Sequence, residues 1–278
     1  MTQYFEPIPY PLWHSDKAAF AQALGRSFRE TGFAVITGHP VRQAVIDANL
    51  AATKAFFALH EDAKEKYHDA PGGRQRGYTP FGTENAKGQI QADLKEFWHT
   101  GRDLPPGSPY RTTMKDTPSV AEVPDFDRAT RALYKALDDF GAELLKGVAL
   151  HLNLPEGWFA DKVNFGNSIL RLLHYPPQMD PPAEGSVRAG AHEDINVITL
   201  LLGAEEAGLE VKHRTGAWLA VNPPPRRFGH QLRRHASALY RRHPALDHTP
   251  GRQSGTGTLA LPALFHALLP AFQPGLPD

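Results

Sequence analysis

A histidine and an aspartate separated by one residue, His192 and Asp194, are the clearest candidates for chemistry in this sequence. On an extended strand, side chains two positions apart project from the same face. An imidazole and a carboxylate on one face can occupy two neighbouring positions on Fe(II), and a distant second histidine completes a 2-His-1-carboxylate site with room for a cosubstrate and O₂. By itself the pair is a weak signal, because surface residues often show the same spacing.

The first half of the chain must supply helices that support such a site. Apolar residues recur at helical spacing in three segments. The predicted helices cover residues 15–29, 41–59 and 127–152. Ser15 is the predicted N-cap of the first helix, and Gly32 follows its end, where a left-handed residue is often needed. Residues 33–37 form a predicted short buried strand between the first two helices. The third helix carries the longest apolar stripe and is expected to pack on a sheet.

Strand patterns dominate after residue 168. The predicted strands are Ile169–Tyr175, Val197–Leu202, Leu209–Val211 and Trp218–Val221. Helices first and short strands later favour an α+β fold with the strands in a barrel or jelly roll. Arg171 and Asn167 are candidates to point into this barrel toward a substrate or cofactor. A buried arginine is costly without a carboxylate partner, which favours a function, but a salt bridge to a surface strand explains Arg171 equally well.

The last 53 residues, 226–278, differ in composition from the rest. They contain no Val, Ile, Asn, Glu, Lys, Met or Trp, and Arg, His, Leu, Ala and Pro dominate. A flexible Pro- and Arg-rich tail is one interpretation. The other, which we favour, is a shifted reading frame in a GC-rich gene. Either interpretation predicts that the closing strands of the barrel are lost or disordered.

The genetic code supports the shifted frame. When the last two bases of each codon are joined to the first base of the next, residues 228–236 can encode Leu-Val-Ile-Asn-Cys-Gly-Asp-Met. In the same way, residues 247–252 can encode Thr-Thr-His-Arg-Val-Val, and residues 264–272 can encode Tyr-Ser-Met-Pro-Phe-Phe-Leu-His-Phe. Each match is weak alone, but all of them fall in order and at sensible spacing. One base inserted, or two lost, near residues 223–227 accounts for the displacement.

Several motifs before this point occur in a recognisable order. They are TGFAVITGH at 31–39, RGY at 76–78, DLKE at 93–96, LRLLHYPP at 170–177, HED at 192–194 and GAW at 216–218. Together they resemble the isopenicillin N synthase-like family of 2-oxoglutarate/Fe(II) dioxygenases over residues 5–225. The resemblance implies a double-stranded β-helix preceded by a helical N-terminal region. We therefore divide the chain into an N-terminal oxygenase region (1–110), a β-helix core (111–225) and a shifted tail (226–278).

The resemblance also assigns roles to single residues. It makes His192 and Asp194 iron ligands and places Tyr175 near the 2-oxoglutarate, although a core tyrosine explains Tyr175 equally well. The family further requires a distal histidine and an Arg-x-Ser motif, and neither occurs in frame. In the shifted frame, Thr-His-Arg spans codons 248–251 and Arg-Tyr-Ser lies near residues 263–265. By position, His248 is the in-frame candidate for the third ligand, but its neighbours do not have the pattern of a strand.

The resemblance predicts an oxygenase that uses Fe(II), 2-oxoglutarate and O₂ to oxidise a C–H bond of a small molecule. The outcome in such enzymes is hydroxylation, desaturation, ring closure or ethylene formation. Two alternatives remain open. The first is a catalytically dead remnant that lacks the distal histidine and the oxoglutarate-binding arginine. The second is a cupin-like metal binder that uses His192, Asp194 and histidines of the tail.

Composition excludes several other classes. Thirty basic residues balance thirty acidic ones, so no basic patch predicts a nucleic-acid or anionic-membrane partner. The chain contains no cysteine, which excludes disulfides, zinc-thiolate sites and thiol catalysis. No apolar stretch approaches the ~18 residues needed to span a bilayer, and the first residues lack the pattern of a signal peptide. These features predict a soluble cytoplasmic protein.

Overall fold

The computed structural model describes residues 5–68, 74–84, 93–176, 196–202, 210–213, 215–220, 237–240 and 258–266. Its helices are α1 (Leu12–Ser15), α2 (Lys17–Thr31), α3 (Gln43–Phe57), α4 (Glu61–Glu65), α5 (Phe126–His151) and α6 (Ala160–Val163), with a short 3₁₀ helix at Pro109–Thr112. Its strands are β1 (Ile8–Pro9), β2 (Phe33–Thr37), β3 (Gly77–Thr79), β4 (Glu96–Gly101), β5 (Ile169–Tyr175), β6 (Ile198–Leu202), β7 (Glu210–Lys212), β8 (Trp218–Ala220), β9 (Ser237–Tyr240) and β10 (Thr258–His266).

Eight of these strands form one sheet, in the order β1-β2-β9-β6-β10-β5-β4-β3. Strands β7 and β8 pair antiparallel in a separate two-stranded sheet. Within the large sheet, β1 and β2 are parallel and the other pairings are antiparallel. Helices that pack beside a mostly antiparallel sheet confirm the predicted α+β class.

The ends of α2 show how local chemistry sets the helix bounds. The side chain of Asp16 accepts a hydrogen bond from the backbone N–H of Ala19 over 2.9 Å, so Asp16 and not Ser15 is the N-cap. Ser15 instead ends α1. At the other end Gly32 adopts a left-handed conformation with φ 78°, as predicted, and its N–H donates to the carbonyl of Phe28.

The two faces of the large sheet have different neighbours. One face, which we call the helix face, packs in the main hydrophobic core against α5. On this face Trp98 contacts both Phe56 and Phe126, with ring centroids 5.0 Å apart in each pair. Leu170 and Leu172 of β5 are fully buried in the same core. Because side chains alternate along a strand, the residues between them project to the opposite face, which we call the far face.

The prediction that the closing strands are lost is wrong for two segments of the tail. The backbone of residues 237–240 forms β9 between β2 and β6, and that of residues 258–266 forms β10 between β6 and β5. Neither segment contains Val or Ile. Strand pairing uses backbone N–H and C=O groups, so a segment without β-branched aliphatic residues can still fill a gap between two strands.

The register of β10 shows where its sequence suits this place poorly. Thr258–Ala260 and Ala263–Phe265 align with β5, but the register shifts between Ala260 and Ala263. Pro262 lies in this gap and has no N–H to donate to a neighbouring strand. A proline in a strand paired on both sides is unusual, and the irregularity is its local consequence.

Candidate active site

The far face carries a polar cluster centred on Arg171. The register of β4 with β5 pairs Arg171 with His99, and both side chains project to the far face. Nε of Arg171 lies 2.7 Å from Nε2 of His99, and Nδ1 of His99 lies 2.8 Å from the carbonyl oxygen of Arg74. Because a guanidinium only donates, Nε2 of His99 must accept and Nδ1–H must donate to the carbonyl.

His99 is therefore a neutral imidazole. Its side chain is buried, and this burial lowers the pKa of His99 well below its ordinary value. The positive charge of Arg171 lowers the pKa of His99 further. A neutral His99 can accept from the guanidinium at every pH in the physiological range, so it holds Arg171 in one orientation.

Glu84 supplies the negative charge opposite Arg171. The two terminal nitrogens of Arg171 donate to the two carboxylate oxygens of Glu84 over 3.1 and 3.2 Å. Lys95 also binds Glu84, over 2.7 Å, and Asp93 over 2.7 Å. Burial would raise the pKa of Glu84, but Arg171 and Lys95 hold it at about 2. Two cations and two carboxylates therefore balance one another beside the far face.

Tyr175 and Asn167 differ in their surroundings. Tyr175 is the last residue of β5, half-buried, and its side chain projects from the far face like that of Arg171. Asn167 lies before the strand and accepts a hydrogen bond from Arg76 over 2.7 Å while its amide donates to Gln75 over 3.0 Å. Asn167 therefore joins two segments of the chain, and these contacts favour a structural role for it over binding a cofactor.

Arg76 is a buried cation that the sequence did not single out for a role. It donates to the backbone carbonyls of Lys115 and Gln75, over 3.1 and 2.7 Å, in addition to Asn167. Burial lowers the pKa of Arg76. Its guanidinium lies against Gly101 of β4, where a Cβ would meet it at 1.9 Å. The glycine is thus required for this close approach.

A second polar network lies on the helix face around Glu96. Its carboxylate accepts from Lys64 over 2.7 Å, from the hydroxyl of Tyr78 and from Nδ1 of His174 over 2.6 Å. The ring of His174 stacks on Phe57 with centroids 4.9 Å apart. Burial would raise the pKa of Glu96, but its hydrogen bonds to these donors keep the pKa below its ordinary value. These contacts give His174 a structural role in the sheet.

The three predicted metal ligands, His192, Asp194 and His248, lie outside the described residues. Within the parts of the chain that the structure describes, no group of three His, Cys, Asp or Glu side chains could hold a metal ion. The described strands β5 and β6 lie on either side of residues 192–194 in the sequence. In the same described parts, no helix is long and apolar enough to cross a bilayer.

Comparison with known proteins identifies the class. Residues 8–123 match the family model described as non-haem dioxygenase in morphine synthesis N-terminal, and residues 166–244 match that of the 2OG-Fe(II) oxygenase superfamily. The chain is 40% identical to a 2OG-Fe(II) oxygenase family protein from Caulobacter crescentus, whose crystal structure superimposes with a TM-score of 0.78 over 96% of this chain and 87% of that one. The chain therefore belongs to the 2OG-Fe(II) oxygenase superfamily, and the predicted double-stranded β-helix fold is confirmed.

Two fungal relatives are similar in sequence. A 2-oxoglutarate-Fe(II) type oxidoreductase of Aspergillus fumigatus is 31% identical over 217 residues, which is 75% of this chain and 64% of the relative. A proline hydroxylase of Petromyces alliaceus is 33% identical over 205 residues, which is 71% of this chain and 62% of the relative. The chain thus spans less than two thirds of the length of these curated relatives.

Proposed function

We propose that this protein is an Fe(II)- and 2-oxoglutarate-dependent oxygenase that oxidises a C–H bond of a small molecule with O₂. The observation that carries the proposal is the His192-Glu193-Asp194 motif, which lies inside the segment that matches the oxygenase superfamily. An imidazole and a carboxylate are the donor types that suit Fe(II) in such sites. When bound, the iron and the 2-oxoglutarate supply the oxidising chemistry.

The described residues would contribute binding and orientation. The half-buried Leu173 and Leu201 lie on the far face with Arg171, and the buried ring of Phe97 lies under its guanidinium. The face therefore offers both apolar contact and one fixed cation. Tyr175, at the end of β5, is placed on the same face and is the candidate for a contact with 2-oxoglutarate. A site of this composition orients a small molecule through a few polar contacts and excludes water with its apolar walls.

A shifted reading frame in the tail is part of the proposal. The sequence matches to the two fungal relatives leave a quarter or more of this chain unmatched, whereas the superposition on the Caulobacter protein includes 96% of it. A tail that is read out of frame has an unrelated amino-acid sequence, so a loss of sequence similarity to relatives is what the proposal expects there, and the family match ends at residue 244. Nothing in the comparisons favours the dead-remnant alternative. The role of His248 as third ligand stays a prediction, as do the cytoplasmic location, the absence of a nucleic-acid partner and the three domain bounds.

The proposal is tested by adding Fe(II), 2-oxoglutarate and O₂ to the purified chain and measuring succinate. We expect succinate above the protein-free background, and its loss when His192→Ala or Asp194→Ala removes a ligand. His60→Ala is the matched control, because His60 is exposed on the surface at the start of α4. Equal succinate from the His192→Ala and unchanged chains would contradict the assigned ligands. Anaerobic titration with Fe(II) gives an independent readout, in which each ligand variant weakens binding and His60→Ala does not.

A further inference from the structure

The ion pair between Arg171 and Glu84 has the geometry of a contact that another carboxylate can replace. Its two distances, 3.1 and 3.2 Å, exceed the roughly 2.7–2.9 Å of a strong charge-assisted hydrogen bond. Lys95 binds the same Glu84 at 2.7 Å. The side chains of Arg171 and Glu84 are 20% and 34% exposed, so solvent and solutes reach the pair. Of the two cations, Lys95 therefore makes the shorter contact with Glu84.

Loss of the contact would leave neither charge buried alone. Glu84 would keep Lys95, and an incoming carboxylate would take its place beside Arg171. This matters because an unpaired charge in a partly buried site is strongly unfavourable, whereas an exchange of one carboxylate for another preserves the pairing. Arg171 can therefore exchange the carboxylate of Glu84 for that of a ligand with only a small change in free energy.

Arg171 is held in place independently of Glu84. His99 accepts from its Nε over 2.7 Å, and the ring of Phe97 lies under the guanidinium with its centroid 4.4 Å from Cζ. The neutral imidazole and the aromatic face fix the plane of the guanidinium without neutralising its charge. A planar guanidinium fixed in this way presents its two terminal nitrogens to a carboxylate as a pair.

We propose that Arg171 binds the carboxylate of a small molecule on the far face, and that Glu84 occupies this position as an internal carboxylate until the ligand arrives. The inference rests on the proposed function and adds a ligand class to it. The ligand carboxylate belongs either to 2-oxoglutarate or to a substrate that is an organic acid. Leu173 and Leu201, which are half-buried on the same face as Arg171, suit an acid with an apolar body.

Binding of benzoate to the full chain without iron tests the site. Benzamide is the matched neutral probe, since it has the same ring and no charge. Glu84→Gln removes the internal carboxylate, and we expect it to tighten benzoate binding about two- to five-fold, the range that corresponds to a partly exposed ion pair. Arg171→Met should reduce benzoate binding to the level of benzamide. Glu156→Gln is the control for a lost ion pair elsewhere, because Glu156 pairs with Lys17 on the surface.

The tightening by Glu84→Gln is the decisive result, because a variant that simply folds poorly does not gain affinity. If Glu84→Gln tightens the binding of neither benzoate nor 2-oxoglutarate, or if Glu156→Gln or a neutral probe such as benzamide shows the same tightening, the inference is overturned. A parallel titration with 2-oxoglutarate separates the two sources. Tightening for 2-oxoglutarate alone assigns the carboxylate to the cosubstrate, and tightening for benzoate alone assigns it to a substrate.

The binding measurements test this inference independently of the proposed function. Binding is measured without iron or turnover, whereas the oxygenase assignment is tested by succinate. Succinate formation with no effect of Glu84→Gln on any carboxylate would overturn this inference alone. Carboxylate binding at Arg171 with no succinate from a chain whose reading frame has been restored would overturn the oxygenase assignment alone.

Discussion

Arg171 and His99 lie side by side on neighbouring strands, and Nε–H of Arg171 donates to Nε2 of His99 over 2.7 Å. This contact determines the tautomer of His99, because the other nitrogen must then donate to the carbonyl of Arg74. Protonation of Nε2 would place two donors face to face beside a permanent cation. The contact between Arg171 and His99 therefore requires a neutral histidine. The stability that His99 contributes to the fold must for this reason depend on pH.

The first prediction concerns stability in acid. Burial, followed by the charge of Arg171, lowers the folded-state pKa of His99 well below its ordinary value of 6.5. The unfolded chain therefore binds the proton first as the pH falls. The contribution of His99 to stability is fully present above about pH 6.5 and is lost as the pH falls from there toward the folded-state pKa.

We expect His99→Gln to flatten this dependence, because its carboxamide can accept from Arg171 and donate to Arg74 but does not titrate. The measurement is the free energy of unfolding at several pH values between 7.5 and 5, for both proteins. His60→Gln, at an exposed position, should keep the slope of the unchanged chain. Identical slopes for His99→Gln and the unchanged chain would refute the neutral buried histidine.

The second prediction concerns the Glu96 network. Glu96→Gln would leave Lys64 buried without its carboxylate partner, and it would alter the acceptor for Tyr78 and His174. Loss of one partner of a buried ion pair costs about 3–5 kcal/mol. Urea unfolding should show a loss of this order, against at most about 1 kcal/mol for the surface variant Glu156→Gln. A loss as small as that of the surface variant would show that the network adds little stability.

The third prediction tests the close approach of Arg76 to the sheet. In Gly101→Ala the new Cβ would meet the guanidinium of Arg76 at 1.9 Å, so Arg76 must move away from Asn167. Overpacking of this kind costs typically about 1–3 kcal/mol. Gly157→Ala is the matched control, because nothing lies within 4 Å of its added Cβ. If thermal unfolding of both variants shifts equally, the contact at Gly101 does not constrain the packing.

Sequence patterns predicted β5 to the residue, from Ile169 to Tyr175, because its apolar run is bounded by Pro176. They missed β4, whose six residues are all buried. A strand with both faces covered loses the alternation of polar and apolar residues that makes strands visible in a sequence.

The polar cluster could be anticipated only in part. Arg171 was a candidate because an arginine in the barrel needs a partner, but Glu84 lies 87 residues away and His99 lies 72 residues away. Only the register of β4 on β5 brings His99 beside Arg171, and register is a tertiary property. His192 and Asp194, the predicted iron ligands, lie outside the described residues, so their assignment stays a prediction.

The central claim is that this is a 2-oxoglutarate-dependent oxygenase whose tail is read out of frame. The most direct test measures succinate formed from 2-oxoglutarate by the chain as it stands and by a version with one base removed between codons 223 and 227. We expect the frame-restored chain to form succinate at least tenfold faster, and to lose this activity in His192→Ala. A frame-restored chain that forms no succinate with Fe(II), 2-oxoglutarate and O₂, or that keeps its activity in His192→Ala, would contradict the claim.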